Sequence, residues 1–285
     1  MTISSLTDSY TLNNGVKIPG IGFGTWQSAD GDEAYQAVLD ALKSGYRHID
    51  TAAIYGNESS VGRAIADSKI DRQDLFVTSK LWNNVRGYDE TLAALDESLN
   101  KLGLEYLDLY LIHWPNPIDY RANWAEMNAE TWRAMEEAYR SGKVRAIGIS
   151  NFQVQHLEAL LKTAEIKPMV NQLFINPSDL ESSIVELNQQ HEILTEAYSP
   201  LGTGRLLATP AILNLADRLG KSPAQIAIRW SLQHGFLPLP KSTHRKYIEQ
   251  NTQVFDFELS NADMSTLDAL NGTIGTHIDP DTTDF

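Results

Sequence analysis

The 285 residues, 42% of them hydrophobic, can bury a sizeable core, and size alone does not choose between two domains and one α/β barrel of ~250 residues. With 23 basic against 37 acidic residues the net charge is −14, which argues against nucleic acid and anionic membranes as partners and makes any anion depend on a local basic pocket. The absence of cysteine removes disulfides, thiolate metal sites and cysteine nucleophiles, and neither a secretion signal nor a membrane-spanning apolar run is present, so a cytoplasmic location is expected; a monomer is expected as well.

Taken in order, the chain begins with a β-hairpin, Tyr10-Thr11-Leu12 and Val16-Lys17-Ile18 about Asn13-Asn14-Gly15, a turn that tolerates positive φ. After Pro19 an apolar strand pattern and an amphipathic helix pattern alternate. Strands are predicted at Ile21–Gly24, Arg47–Asp50, Leu75–Lys80, Leu107–His113, Val144–Ile149, Met169–Gln172, Ile193–Ala197 and Phe236–Leu239. Helices are predicted at Asp32–Ser44, Ser59–Ser68, Tyr88–Lys101, Asn128–Ser141, Gln153–Lys162 and Glu181–Gln190, then Pro210–Leu219 with Ser222–His234, and Arg245–Asn251. Eight such units with short buried strands point to an α/β fold, a (β/α)₈ TIM barrel whose N-terminal hairpin closes one end. A doubly wound sheet is the second choice. No linker or composition shift breaks the chain, so one domain over residues 1–285 is expected, with the polar insertion Asn116–Met127 on the active-site side.

In such barrels chemistry gathers at the carboxyl ends of the strands. Those ends carry Asp50, Lys80, His113, Ser150-Asn151, Asn171-Gln172, Tyr198-Ser199 and Lys241-Ser242, with Trp26 after the first strand. Each alone can be a capping or solvated residue, and Asp50 in particular can cap the helix near Glu58. Within Gly45–Glu58, strand alternation sends Tyr46, His48 and Asp50 to one face. Asp50, Tyr55, Lys80 and His113 together suit proton transfer: a phenol of pKa about 10 needs a neighbouring cation to favour its phenolate, Lys80 supplies the cation, Asp50 holds it, and His113 can donate to a substrate oxygen. Lys241-Ser242-Thr243-His244-Arg245-Lys246 is a compact basic cluster at a predicted helix start, which suits an anion.

Gly45–Glu58, Thr78-Ser79-Lys80-Leu81-Trp82, Asp108–Pro115, Arg145–Phe152, Asn171-Gln172, Tyr198–Gly202 and Pro240-Lys241-Ser242 resemble the aldo-keto reductase family over essentially the whole chain, and among its members bacterial aldehyde and 2,5-diketo-gluconate reductases. The resemblance implies an NAD(P)H-dependent reductase of aldehydes and ketones, including small α-oxoaldehydes and keto-sugars. Hydride passes from nicotinamide C4 to the carbonyl carbon and a proton from Tyr55, with Asp50, Tyr55, Lys80 and His113 as the catalytic tetrad. It assigns Ser150, Asn151 and Gln172 to the carboxamide, Tyr198 to stacking on the nicotinamide, and Ser199 and Leu201 to the pyrophosphate. Lys241, Ser242 and Thr243 approach the adenosine 2′-phosphate, and Asn251 is also assigned to cofactor binding. Trp26, Trp82 and Trp114 wall the substrate pocket, and no metal is implied. Three positions depart from the pattern: Tyr247 replaces an arginine that contacts the 2′-phosphate, Phe174 and Asn176 stand where Glu and His often follow Asn-Gln, and the tail from Gly275 to Phe285 is short. NADPH is therefore the expected cofactor, with NADH also accepted.

Two other classes compete. His48, Asp50 and His113 can be read as ligands of a metal-dependent barrel hydrolase, although Lys80 would repel the ion, and Lys80 can also be read as a Schiff-base lysine. A non-catalytic nucleotide-binding module needs no lysine–tyrosine pair.

Overall fold

The computed structural model describes residues 3–274 and 277–285. Its first two strands, β1 (Ser9–Thr11) and β2 (Lys17–Pro19), pair antiparallel with Tyr10 opposite Ile18, and Gly15 at φ +86° turns the chain between them. Tyr10 donates to the carbonyl of Phe236, Asn13 to that of Pro168 and Asn14 to that of Arg145. Each acceptor precedes a barrel strand, so the hairpin covers the amino-terminal end of the barrel.

The barrel strands are β3 (Phe23–Gly24), β4 (His48–Asp50), β5 (Phe76–Leu81), β6 (Leu109–Ile112), β7 (Ile147–Ser150), β8 (Val170–Phe174), β9 (Leu194–Tyr198) and β10 (Leu237–Leu239). Consecutive strands pair in parallel from β3 to β10. The ring closes through backbone bonds from Gly22 to Pro238 and from Gly24 to Pro240, both 3.1 Å. A side chain at Gly22 would meet Leu239 at 2.5 Å and His48 at 2.6 Å, so closure requires glycine there. β5 to β8 are buried at every residue, as strands covered on both faces must be.

Helices α1 (Asp32–Lys43), α2 (Glu58–Ser68), α3 (Tyr88–Leu102), α4 (Trp124–Arg140), α5 (Val154–Leu161), α6 (Ser182–Gln190), α7 (Pro210–Leu219), α8 (Pro223–Gln233) and α9 (Arg245–Gln250) connect the strands or follow the last of them. α1 begins with Asp32 and Glu33 and ends with Lys43, matching its dipole, and α8 has a Ser222–Gln225 capping box with Pro223 in its first turn. The fourth helix starts at Trp124, four residues before the predicted Asn128, because a 3₁₀ segment over Ile118–Asn123 leads directly into it. A further helix, α10 (Asn261–Asp268), follows the barrel and was outside the predicted pattern, although its Ser260–Asp263 capping box is visible in the sequence. No described helix is long and apolar enough to cross a membrane.

Candidate active site

β4 ends at Asp50, and a 3₁₀ turn over Ala53–Tyr55 follows at once, returning the Tyr55 ring over the strand ends. Buried Asn57 secures this turn: it accepts from Thr51 at 2.9 Å and donates to the carbonyls of Thr25 at 3.1 Å and Ser28 at 3.0 Å, tying it to the loop that carries Trp26. Asp50 does not cap α2. Lys80, on β5 and with no exposed surface, donates to Asp50 Oδ1 at 2.6 Å and to the Thr51 carbonyl at 2.9 Å, and its Nζ lies 3.5 Å from the Tyr55 hydroxyl. Gln172 donates to the other oxygen of Asp50 at 2.9 Å. The buried cation therefore has a paired anion, a carbonyl and a phenol around it, the type of satisfaction a buried charge needs.

The electrostatics revise one expectation. Burial, reinforced by the Asp50 carboxylate, raises the Tyr55 hydroxyl well above the usual phenol range, so it holds its proton. Lys80 does not make Tyr55 a resting phenolate; the net effect of the site is a loaded acid. His113, just beyond β6, is pushed well below the ordinary imidazole value by burial and then by the charges of Lys80 and Arg86, so it is neutral. Its ring meets Tyr55 edge-on at 5.8 Å and Trp82 at 5.1 Å.

A cavity of about 710 Å³ opens over these groups. Asp50, Tyr55 and His113 line it together with Trp26, Trp82, Trp114, Ser150, Asn151, Gln172, Tyr198, Ser199, Leu201 and Lys241, while Lys80 lies behind the wall. Ser150 donates to the Gln172 carbonyl at 2.8 Å. Asn151, at φ +61°, donates to the His113 carbonyl at 2.9 Å and accepts from the Tyr198 hydroxyl at 2.8 Å. Lys241 reaches the Gln27 carbonyl at 3.1 Å. Ser242, Thr243 and Asn251 stand off the cavity wall; Asn251 is buried at the C-cap of α9. Arg245 is turned to Glu249 at 2.7 Å, and Tyr247 is half exposed.

The hydrolase ligand set does not assemble. His48 Nε2 pairs with the Thr78 hydroxyl at 3.0 Å, and one Asp50 oxygen is taken by Lys80. Among the described residues, donor atoms close enough to share an ion gather instead at Asp179, Glu181 and His277, outside this cavity.

Several site residues escaped the sequence reading. The tail forms part of the wall: Phe285 stacks on Trp82 at 6.0 Å and meets Trp114 edge-on at 5.0 Å, and exposed Ile278 and Ile54 also line the cavity. Asp281 anchors that tail by accepting from Asn116 at 2.7 Å, Gln155 at 2.7 Å and His156 Nε2 at 2.8 Å. Buried Arg86 donates to the carbonyls of Trp82 at 3.1 Å and Trp114 at 2.6 Å, pinning two aromatic walls at once. Buried Glu196 on β9, which accepts from Gln172 at 2.9 Å, carries a usable signal in the sequence, as a charge inside the apolar run Ile193–Ala197.

A model of the Aldo/keto reductase family matches residues 20–272. The glyoxal reductase of Bacillus subtilis (strain 168) is 49% identical over 268 residues, covering 94% of this chain and 94% of its own. The crystal structure of MGS-M4, an aldo-keto reductase enzyme from a Medee basin deep-sea metagenome library, superposes with a TM-score of 0.92 at 42% identity, covering 97% of this chain and all of that one. The structure of a Bombyx mori aldo-keto reductase in complex with NADP gives a TM-score of 0.85 at 36% identity, with 93% of each chain covered.

Proposed function

The chain belongs to the aldo/keto reductase family, and on that premise we propose that it reduces aldehydes and ketones to alcohols with NADPH, taking small α-oxoaldehydes and keto-sugars as substrates. The observation that carries the reading is the fully buried Lys80 ammonium set between the Asp50 carboxylate and the Tyr55 hydroxyl at the floor of an aromatic cavity. A binding module has no use for a cation buried there at such desolvation cost.

Tyr55 is the proton donor to the carbonyl oxygen. Its raised pKa keeps the proton in place until charge develops on that oxygen, and the phenolate left behind forms beside Lys80, which stabilises it when it is needed. Asp50 keeps the lysine aimed. Neutral His113 orients the carbonyl by donating one hydrogen bond without competing for the proton. Trp26, Trp82 and Trp114 exclude water around the reacting carbon.

The residues present suit a nicotinamide nucleotide, which when bound supplies the hydride. Ser150, Asn151 and Gln172 offer amide and hydroxyl groups to a carboxamide, the Tyr198 ring offers a stacking face, Ser199 and Leu201 lie along a pyrophosphate path, and Lys241 brings a cation to the wall. Ser242, Thr243 and Asn251 are assigned to supporting the loop at the adenosine end. The NADP complex of the Bombyx mori enzyme supports a nicotinamide nucleotide here, and the name of the B. subtilis relative supports α-oxoaldehydes, of which glyoxal is the smallest.

Initial rates for a matrix of aldehydes, α-oxoaldehydes and keto-sugars against NADPH and NADH test the proposal. Turnover with alcohol formed in step with cofactor oxidation is expected. Tight NADPH binding with no turnover across the panel would instead identify a nucleotide-binding module.

A further inference from the structure

Gln172 holds an uncommon position. Its Nε2 donates at 2.9 Å to Asp50 Oδ2 on one side and at 2.9 Å to Glu196 Oε2 on the other, which consumes both of its hydrogens. Its Oε1 accepts from no described residue, and Gln172 lines the cavity, so the amide presents an acceptor there. Two carboxyl groups flanking one NH₂ impose that orientation, since the flipped amide would set its oxygen against the Asp50 carboxylate.

We propose that Glu196 is a positioning residue of the cofactor site: it clamps Gln172 from below and, through that amide, sets a carboxyl group under the nicotinamide. The inference rests on the reading of Gln172 as a carboxamide contact. Glu196 sits on β9 with no exposed surface. Burial first and the Asp50 charge second raise it to about 8, against the smaller opposing effects of Gln172 and Lys80, so it is neutral at pH 7 and ionises within a working range. The groups facing it are few. From β4 come Asp50 and His48, whose Nε2 is 3.9 Å away and which burial and Lys80 hold neutral down to about 3; from β5 comes Lys80; from β8 only the Gln172 amide; and β10, pairing through Leu237, brings no ionisable residue. Glu196 Oε1 accepts no hydrogen bond from the described residues, and the His48 Nε2 that faces it at 3.9 Å is bonded to the Thr78 hydroxyl.

The consequence has a sign. A carboxylate under the ring favours the cationic oxidised nicotinamide over the neutral reduced one. As pH rises through 8, NADP⁺ binding should tighten relative to NADPH, and NADP⁺ binding near pH 8 should expel a proton from Glu196.

Calorimetric titration of NADP⁺ and NADPH at pH 6.5 and 9, in two buffers of different ionisation enthalpy, tests this on the whole enzyme. The wild type should show a ratio of Kd for NADPH to Kd for NADP⁺ that rises several-fold between the two pH values, with proton release specific to NADP⁺. Glu196→Gln keeps an acceptor for Gln172 and removes the titration: its NADPH Kd at pH 6.5 should stay within about two-fold of wild type, while the pH dependence and the extra proton release vanish. Glu196→Leu should weaken NADPH at least five-fold. A Glu196→Gln enzyme that keeps the wild-type pH dependence overturns the proposal, as does a folded Glu196→Leu enzyme that binds NADPH normally. Gln172→Leu separates the premises: unchanged NADPH affinity in that variant refutes the placement of the carboxamide, whereas weakened affinity there with none in Glu196→Leu refutes only the role of Glu196.

Discussion

Replacing Tyr55 by Phe removes one hydroxyl whose single hydrogen bond among the described residues is with Lys80 Nζ at 3.5 Å. A bond of that length contributes under about 1 kcal/mol to folding, and the ring keeps its edge-on contact with His113 at 5.8 Å, so fold and pocket should survive. The chemical loss is far larger. A positioned general acid contributes ~10²–10⁴-fold, and at about 1.36 kcal/mol per decade its removal adds ~3–5 kcal/mol to the barrel's reaction barrier. The expected result, with glyoxal as a trial substrate and loss of NADPH absorbance as the readout, is a kcat that falls by at least a hundredfold, with the NADPH Kd from fluorescence titration within a factor of about two. If Tyr55→Phe kept a tenth of the wild-type kcat, the proton would be coming from elsewhere. If Kd rose as steeply as kcat fell, Tyr55 would be a binding residue and the acid assignment would fail.

Lys80→Met leaves the Asp50 carboxylate buried without its cation, a change that typically costs about 3–5 kcal/mol; thermal denaturation should show a clear drop in Tm beside the loss of kcat, and Asp50→Asn in the same chain should restore Tm without restoring turnover. Because His113 stays neutral far below its usual range, wild-type kcat/KM should show no limb from it between pH 6 and 8; a titration in that window that disappears in His113→Ala would refute the neutral assignment. Tyr247→Arg adds a cation in the opening turn of α9, six residues after Lys241, and should tighten NADPH by about 1–2 kcal/mol in a salt-sensitive way with little change for NADH. Equal shifts for the two cofactors, measured at two salt concentrations, would show that residue 247 lies away from the 2′-phosphate.

What the sequence made legible follows from periodicity. The eight barrel strands and the helices between them are visible because strand burial and helix amphipathicity are local patterns, and the strand ends are informative because the topology sends them all to one rim. Thus Asp50, Lys80 and His113, spread over 64 positions of sequence, lie around one cavity, Lys80 behind its wall. The state of Tyr55 was not legible. Lys80 was the neighbour that sequence suggested, but the balance between a cation at 3.5 Å, the Asp50 charge and complete removal from water depends on distances and burial. Phe285 was equally hidden, since nothing local marks a terminal aromatic as a pocket wall; its place depends on Asp281 meeting Asn116, Gln155 and His156 from elsewhere in the chain.

These two kinds of residue divide the site into parts with different tolerance for change. Asp50 and Lys80 sit on the paired strands β4 and β5 and Gln172 on β8, and Asp50 accepts from Lys80 at 2.6 Å and from Gln172 at 2.9 Å, so a substitution at any of them leaves a buried partner unmatched. The cavity's outer wall is instead assembled from loop and tail residues, Trp26, Ile54, Ile278 and Phe285, whose contacts are largely apolar and which leave no buried charge behind when replaced. Apolar exchange of that sort alters the shape offered to a substrate by steps of about 1–3 kcal/mol without disturbing the proton donor. On the proposed reading, the outer wall shapes what enters the cavity and the strand-borne residues carry the reaction. Arg86 is the link between the two, because its guanidinium holds the backbones of Trp82 and Trp114, the two walls that stand beside His113 itself.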